Sequence, residues 1–207
     1  MLPLFRLQDK TLIIGPSECG KTALAKYLLQ GWGFPYFVYD TEGEFPGAVS
    51  RLAAVDWRQK AIAYDPFQEG RADKEAQFAH VCNVVFARGR RVFTVPEVMD
   101  YVGVNSIPDN LLTLIRRGRH RHVGALLLAQ DFVGMAPLIR QCQHLIVFSV
   151  CGSALDQVDA YMPATDGMKP SELMQRLRPY QYLYWPRSDP VRRNRCQIHG
   201  PEPIRGI

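Results

Sequence analysis

The stretch GPSECGKT, Gly15 to Thr22, lies between an apolar run, TLIIG (11–15), and a helix-length amphipathic segment, KTALAKYLLQGW (21–32). It fits G-x-x-x-x-G-K-[ST], and a strand before it with a helix after it is the context that gives such a match its meaning. The chemistry explains the spacing. Backbone N–H groups of the loop wrap phosphate oxygens, a glycine at Gly20 lets the chain approach them, and the helix N-terminus adds its positive end. Gly15, Pro16, Ser17, Glu18, Cys19, Gly20, Lys21, Thr22 and Ala23 are therefore the expected contacts of a nucleoside triphosphate. Lys21 is placed to reach the β- and γ-phosphates and Thr22 to hold Mg²⁺.

Beyond the loop, short β-type runs alternate with helical segments. YFVYD (36–40), AIAYD (61–65), RVFTV (91–95), GALLLAQ (124–130) and HLIVFS (144–149) read as strands. DKEAQFAHVCNVVFAR (73–88), DNLLTLIRRGR (109–119) and MAPLIRQC (135–142) have helical spacing. Strands that are apolar throughout, separated by helices, predict an α/β fold with a mostly parallel central sheet and helices on both faces. That core is expected over residues 1–150.

Residues 151–207 are expected to form a C-terminal extension that packs on the core or serves assembly. ALDQVDAYM has helical character and YQYLYW (180–185) reads as an edge strand, its aromatics fitting core or interface better than a base-stacking platform. The Arg-rich end, from PVRRNRCQIHG onward, reads as an exposed arm.

With 207 residues and 47% hydrophobic content the chain can bury a full core. Its net charge is +5, and 19 of its 25 basic residues are Arg, a side chain whose fork suits phosphate and carboxylate. The five cysteines are irregularly spaced and the histidines show no ligand spacing, so neither disulfides nor a metal beyond Mg²⁺ is expected. No apolar run approaches the length of a membrane span, and a soluble intracellular protein is expected.

Three stretches discriminate among proteins that share the loop. YDTEGEF carries Asp40, Gly43 and Glu44 as D-x-x-G-E. RRVFTVPEV is an apolar strand stopped by Pro96, which has no N–H for a ladder, with Glu97 directly after it. LIRRGRHRHVGALLLAQD supplies a basic turn with Gly118 and Arg119, a strand, and Gln130 at that strand's end. At these residues the sequence resembles the FtsK–HerA superfamily of ring-forming, RecA-like P-loop NTPases. Its short form resembles the genome-packaging ATPases of membrane-containing icosahedral viruses.

The resemblance implies ATP as the nucleotide, with Mg²⁺. It gives Glu97 the place of the glutamate that polarises the attacking water, and Gln130 that of the sensor of the γ-phosphate. Arg119 falls where an arginine is supplied in trans to the neighbouring subunit, with Arg116, Arg117 and Arg121 close enough to compete. The family's Asp before the strand-end Glu is replaced by Pro96, so Asp40 or Glu44 is expected to support the metal instead. The segment MDYVGVNSIPDN (99–110) is expected to pass the nucleotide state onward.

The implied partners are double-stranded DNA gripped through its phosphates regardless of sequence, other copies in a ring, by resemblance a hexamer, and a viral capsid or membrane portal protein. The implied setting is a host cytoplasm or a virion. Two other readings stay open: a small-molecule or nucleotide kinase, with the basic turn as its lid, and a nucleotide-binding assembly module with weak hydrolysis.

Overall fold

A computed structural model describes residues 5–66, 73–103, 106–150 and 152–200. Part of the 99–110 segment, Cys151 and the last seven residues of the Arg-rich end lie outside them. Six parallel strands alternate with helices: β1 (Lys10–Ile14), α1 (Lys21–Trp32), β2 (Tyr36–Tyr39), β3 (Ala61–Tyr64), α2 (Lys74–Arg88), β4 (Arg91–Val95), α3 (Asp109–Arg117), β5 (Val123–Ala129), α4 (Ala136–Ile139) and β6 (His144–Phe148). Then follow α5 (Ala154–Tyr161), α6 (Pro170–Met174), β7 (Tyr182–Pro186) and β8 (Gln197–His199). The sheet order is β3-β2-β4-β5-β1-β6-β7-β8.

The uniformly apolar strands have the double burial their composition predicts. In β1, Leu12 and Ile14 enter the cluster that holds Phe78, Val81, Leu111 and Leu114 from α2 and α3, while Ile13 enters the other, with Leu24, Ala25 and Leu28 of α1. β5 divides likewise, Ala125, Leu127 and Ala129 to one face and Leu126 and Leu128 to the other. Alternate side chains point to opposite faces, so a strand covered on both sides must be apolar at every position.

Local signals set the helix ends. Asp73 caps α2 by accepting from Ala76 N–H at 2.9 Å, and left-handed Gly33 (φ 68°) ends α1.

The C-terminal extension is built into the sheet. β7 runs antiparallel to β6 over five residue pairs, and β8 pairs antiparallel with β7. Val158, Met162, Leu173, Met174, Leu183 and Cys196 lie in the same cluster as Leu12 and Phe93. The strand expected at the edge from YQYLYW is therefore one place inside it, because Gln197–His199 returns to cover it.

At the strands' N-terminal ends His144 joins Asp9 Oδ2 (3.0 Å) to the Tyr184 hydroxyl (2.9 Å), tying the start of the chain to β6 and β7. No helix among the described residues is long and apolar enough to cross a membrane.

Candidate nucleotide site

Parallel strands place all their C-terminal ends on one side of the sheet, where open α/β folds bind ligands. The loop leaves β1 there. Gly15 N–H donates to the Ala129 carbonyl at 3.1 Å, which pins the loop's start beside the end of β5. A side chain at Gly15 would meet Phe148 Cβ at 2.7 Å and Cys19 Sγ at 2.8 Å, so only glycine fits without displacement. Glu18 (φ 61°) and Gly20 (φ 100°) take left-handed backbone, curling the loop into the first turn of α1.

Lys21 is 7% exposed and its ammonium donates to the Pro16 carbonyl at 2.7 Å, so it reaches back across the loop. The Thr22 hydroxyl makes no hydrogen bond among the described residues and Ala23 follows on the same turn. Pro16, Ser17 and Glu18 form the exposed crest; Cys19 is half-buried, and burial pushes its thiol up despite nearby Lys21.

β4 stops at Val95, where buried Pro96 turns the chain, and Glu97 follows. β4 and β5 are neighbours, so their tips meet: Gln130 Nε2 donates to Glu97 Oε2 at 3.3 Å. Burial raises the Glu97 carboxyl above the usual carboxylate range. The Gln130 hydrogen bond and the Lys21 charge oppose that rise, while Asp100 and Glu42 reinforce it. A carboxylate, an amide and the loop lysine thus converge on one place.

The register of β2 against β4, with Val38 opposite Thr94, sets the D-x-x-G-E turn beside Pro96 and Glu97. Asp40 there is fully buried, and its two oxygens accept from Glu44 N–H (3.0 Å) and Phe45 N–H (2.8 Å), folding the turn around left-handed Gly43. Both its oxygens are thereby engaged in building the turn, and Glu44 is exposed. The carboxylates near enough to act on Glu97 are Glu42 and Asp100, which motif reading did not single out. The signal was present only as spacing after strand ends. The Thr41 hydroxyl in the same turn is buried and has no hydrogen-bond partner among the described residues.

The basic turn lies at the other end of the sheet. Gly118–Arg121 forms a single 3-10 turn ahead of β5, and a side chain at Gly118 would meet the Val123 carbonyl at 2.9 Å. Arg121 donates to the Phe86 and Ala87 carbonyls, closing the end of α2. Arg116, Arg117 and Arg119 are exposed and make no hydrogen bond or ion pair among the described residues. Arg119 is close enough to Lys10, at the start of β1, to add to the lowering of its pKa that burial begins. Gln130 and Arg119 therefore sit at opposite ends of β5, and Arg119 does not reach the nucleotide loop of its own chain.

No protein-family model matches the chain, and no curated protein matches it. Solved structures do. The genome packaging NTPase B204 from Sulfolobus turreted icosahedral virus 2, in complex with sulfate, superimposes with a TM-score of 0.76 at 18% identity, over 96% of this chain and 98% of that one. Its complex with ATP-gammaS gives 0.73 at 18% identity, over 95% and 99%. The N-terminal domain of zonular occludens toxin from Neisseria meningitidis gives 0.52 at 14% identity, over 95% of each chain. These superpositions, with the mostly parallel eight-stranded sheet and its helices, show that the chain has the P-loop NTPase fold of the structures it matches.

Proposed function

We propose that the chain hydrolyses ATP and uses the energy to drive double-stranded DNA through a homo-oligomeric ring, as the packaging motor of a virus. The observation that carries this reading is the Glu97–Gln130 contact across the tips of β4 and β5, within electrostatic reach of Lys21. A structural or purely binding loop has no need of a half-buried carboxylate held by an amide at that point.

The residues act as follows. The loop N–H groups and Lys21 bind the triphosphate, and Glu97, its pKa raised by burial, accepts the proton of an attacking water. Gln130 orients that carboxylate and is placed to sense the γ-phosphate. Arg119, with Arg117 beside it, is presented to a neighbouring subunit's site. The Thr22 hydroxyl and the carboxylates of Glu42 and Asp100 suit a Mg²⁺ ion, which when bound neutralises charge on the phosphates. Asp40 serves by holding the turn that carries Glu42. Exposed arginines grip DNA phosphates, and the C-terminal extension carries the contact with a capsid or portal protein.

The test is ATP hydrolysis with and without double-stranded DNA, for the natural protein and for Glu97→Gln. Stimulation by DNA and a fall of about 100-fold or more in the substituted protein are expected. Unchanged rates in both comparisons would sink the reading. One observation favours a second reading, a nucleotide-binding assembly module: Pro96 occupies the position of a metal-supporting Asp, and both oxygens of Asp40 are engaged. Tight ATP binding with turnover near zero would establish it instead.

A further inference from the structure

The aromatic residues of YQYLYW do not behave alike. Tyr182 and Tyr184 are core, 3% and 2% exposed, whereas Tyr180 is 60% exposed. Tyr180 also has φ 63°, the left-handed region, where a bulky residue is an outlier. Its turn is held in that shape by Gln181 N–H donating to the Arg178 carbonyl (3.0 Å) and Arg178 N–H to Gln181 Oε1 (2.8 Å). Strain that the surroundings maintain at a ligand site points to a use for the strained residue.

Its location supplies the use. The Cβ that Gly20 lacks would lie 3.3 Å from Tyr180 Cδ1 and 3.8 Å from Phe148 Cε1, so the ring lies against the last turn of the phosphate loop. β4 and β5, which carry Glu97 and Gln130, flank β1 on one side, while β6 and β7 flank it on the other. A triphosphate whose γ end lies at Glu97 therefore sends its nucleoside end toward Phe148 and Tyr180.

We propose that Tyr180 is the platform on which the nucleobase of the bound nucleotide stacks, a role that rests on the nucleotide-site reading above. The C-terminal extension thereby completes the site that the phosphate loop begins. No side chain that would read a base edge is required, and because every base has a π-face the stack tolerates purines and pyrimidines alike.

The experiment compares equilibrium binding of ATP and of inorganic tripolyphosphate, which has no base. Tyr180→Ala should weaken ATP by about fivefold or more, leave tripolyphosphate within about twofold, and abolish the fluorescence quenching of bound ethenoadenosine triphosphate. Tyr180→Phe should retain natural affinity. Tyr180→Gly, which relieves the left-handed backbone, should melt at least as high as the natural protein and still bind ATP weakly, separating stacking from folding.

Unchanged ATP affinity in Tyr180→Ala, or an equal loss for tripolyphosphate, overturns the proposal while leaving the phosphate site standing. Failure of the natural protein to bind either ligand overturns the nucleotide-site reading and this proposal with it.

Discussion

At Glu97 burial, one amide, one lysine and two carboxylates act on a single proton. Burial, Asp100 and Glu42 favour the protonated form; Gln130 and Lys21 favour the carboxylate. A general base with a raised pKa loses activity as pH falls through that value, so the acid limb of kcat/KM, which reports the free enzyme, should lie above that of an ordinary glutamate. Gln130→Ala removes the strongest influence holding the proton off and should move the limb to higher pH. Asp100→Asn removes a like charge and should move it lower. A pH–rate profile of the three proteins checks both directions, and a limb that stays put in both would show that Glu97 is not the titrating group. That Glu97 and Gln130 stand at strand ends was legible because each closely follows an apolar run. The carboxylates that act on Glu97 were not: Glu42 comes near it only because β2 lies beside β4, an order no local pattern records, and Asp100 only because the chain turns at once after Glu97. Asp40 was misleading for a related reason: its carboxylate looked free until the turn folded back to bring Glu44 and Phe45 N–H onto it.

Among the elements, β5 shows how far periodicity carries. Its seven residues are all buried, and their composition alone identified a strand covered on both faces. Gly124 within it has a reason that only the packed structure reveals. A side chain there would run into the Leu7 carbonyl and come within 2.8 Å of the Asp9 carbonyl, where the chain's start crosses the strand. Gly124→Ala should cost about 1–3 kcal/mol and lower Tm by roughly 2–10 °C in a thermal melt.

The same crossing holds Asp9 against His144. Burial alone would raise the Asp9 carboxyl, but the hydrogen bonds from His144 and Arg6 N–H, with their charges, outweigh it and hold the pKa below its ordinary 3.8. A lowered carboxylate contributes stability above its unfolded pKa and loses it as pH falls through the folded one. Asp9→Asn should therefore melt lower than the natural protein at pH 7, with the gap closing below pH about 4. An undiminished gap in acid would assign the effect to packing instead. β8 was missed because three residues of mixed polarity carry too little pattern to be told from a loop.

For the whole molecule, the separation between the nucleotide loop and the exposed arginines makes an intermolecular test direct. Subunits carrying Arg119→Ala and subunits carrying Lys21→Ala should each be inactive alone, yet mixing them should restore part of the ATPase rate, because some junctions then pair an intact loop with an intact arginine. Absence of recovery over all mixing ratios would remove Arg119 from that role. DNA stimulation should weaken steeply as salt rises, through release of counterions from the phosphates.

β5 has a further consequence. Hydrogen-bonded on both sides and buried throughout, it spans roughly 20 Å between the arginine turn and Gln130. It is a strut of set length, paired along both edges. In the ring proposed above, such a strut links the arginine offered to one neighbour with the glutamine at its own site.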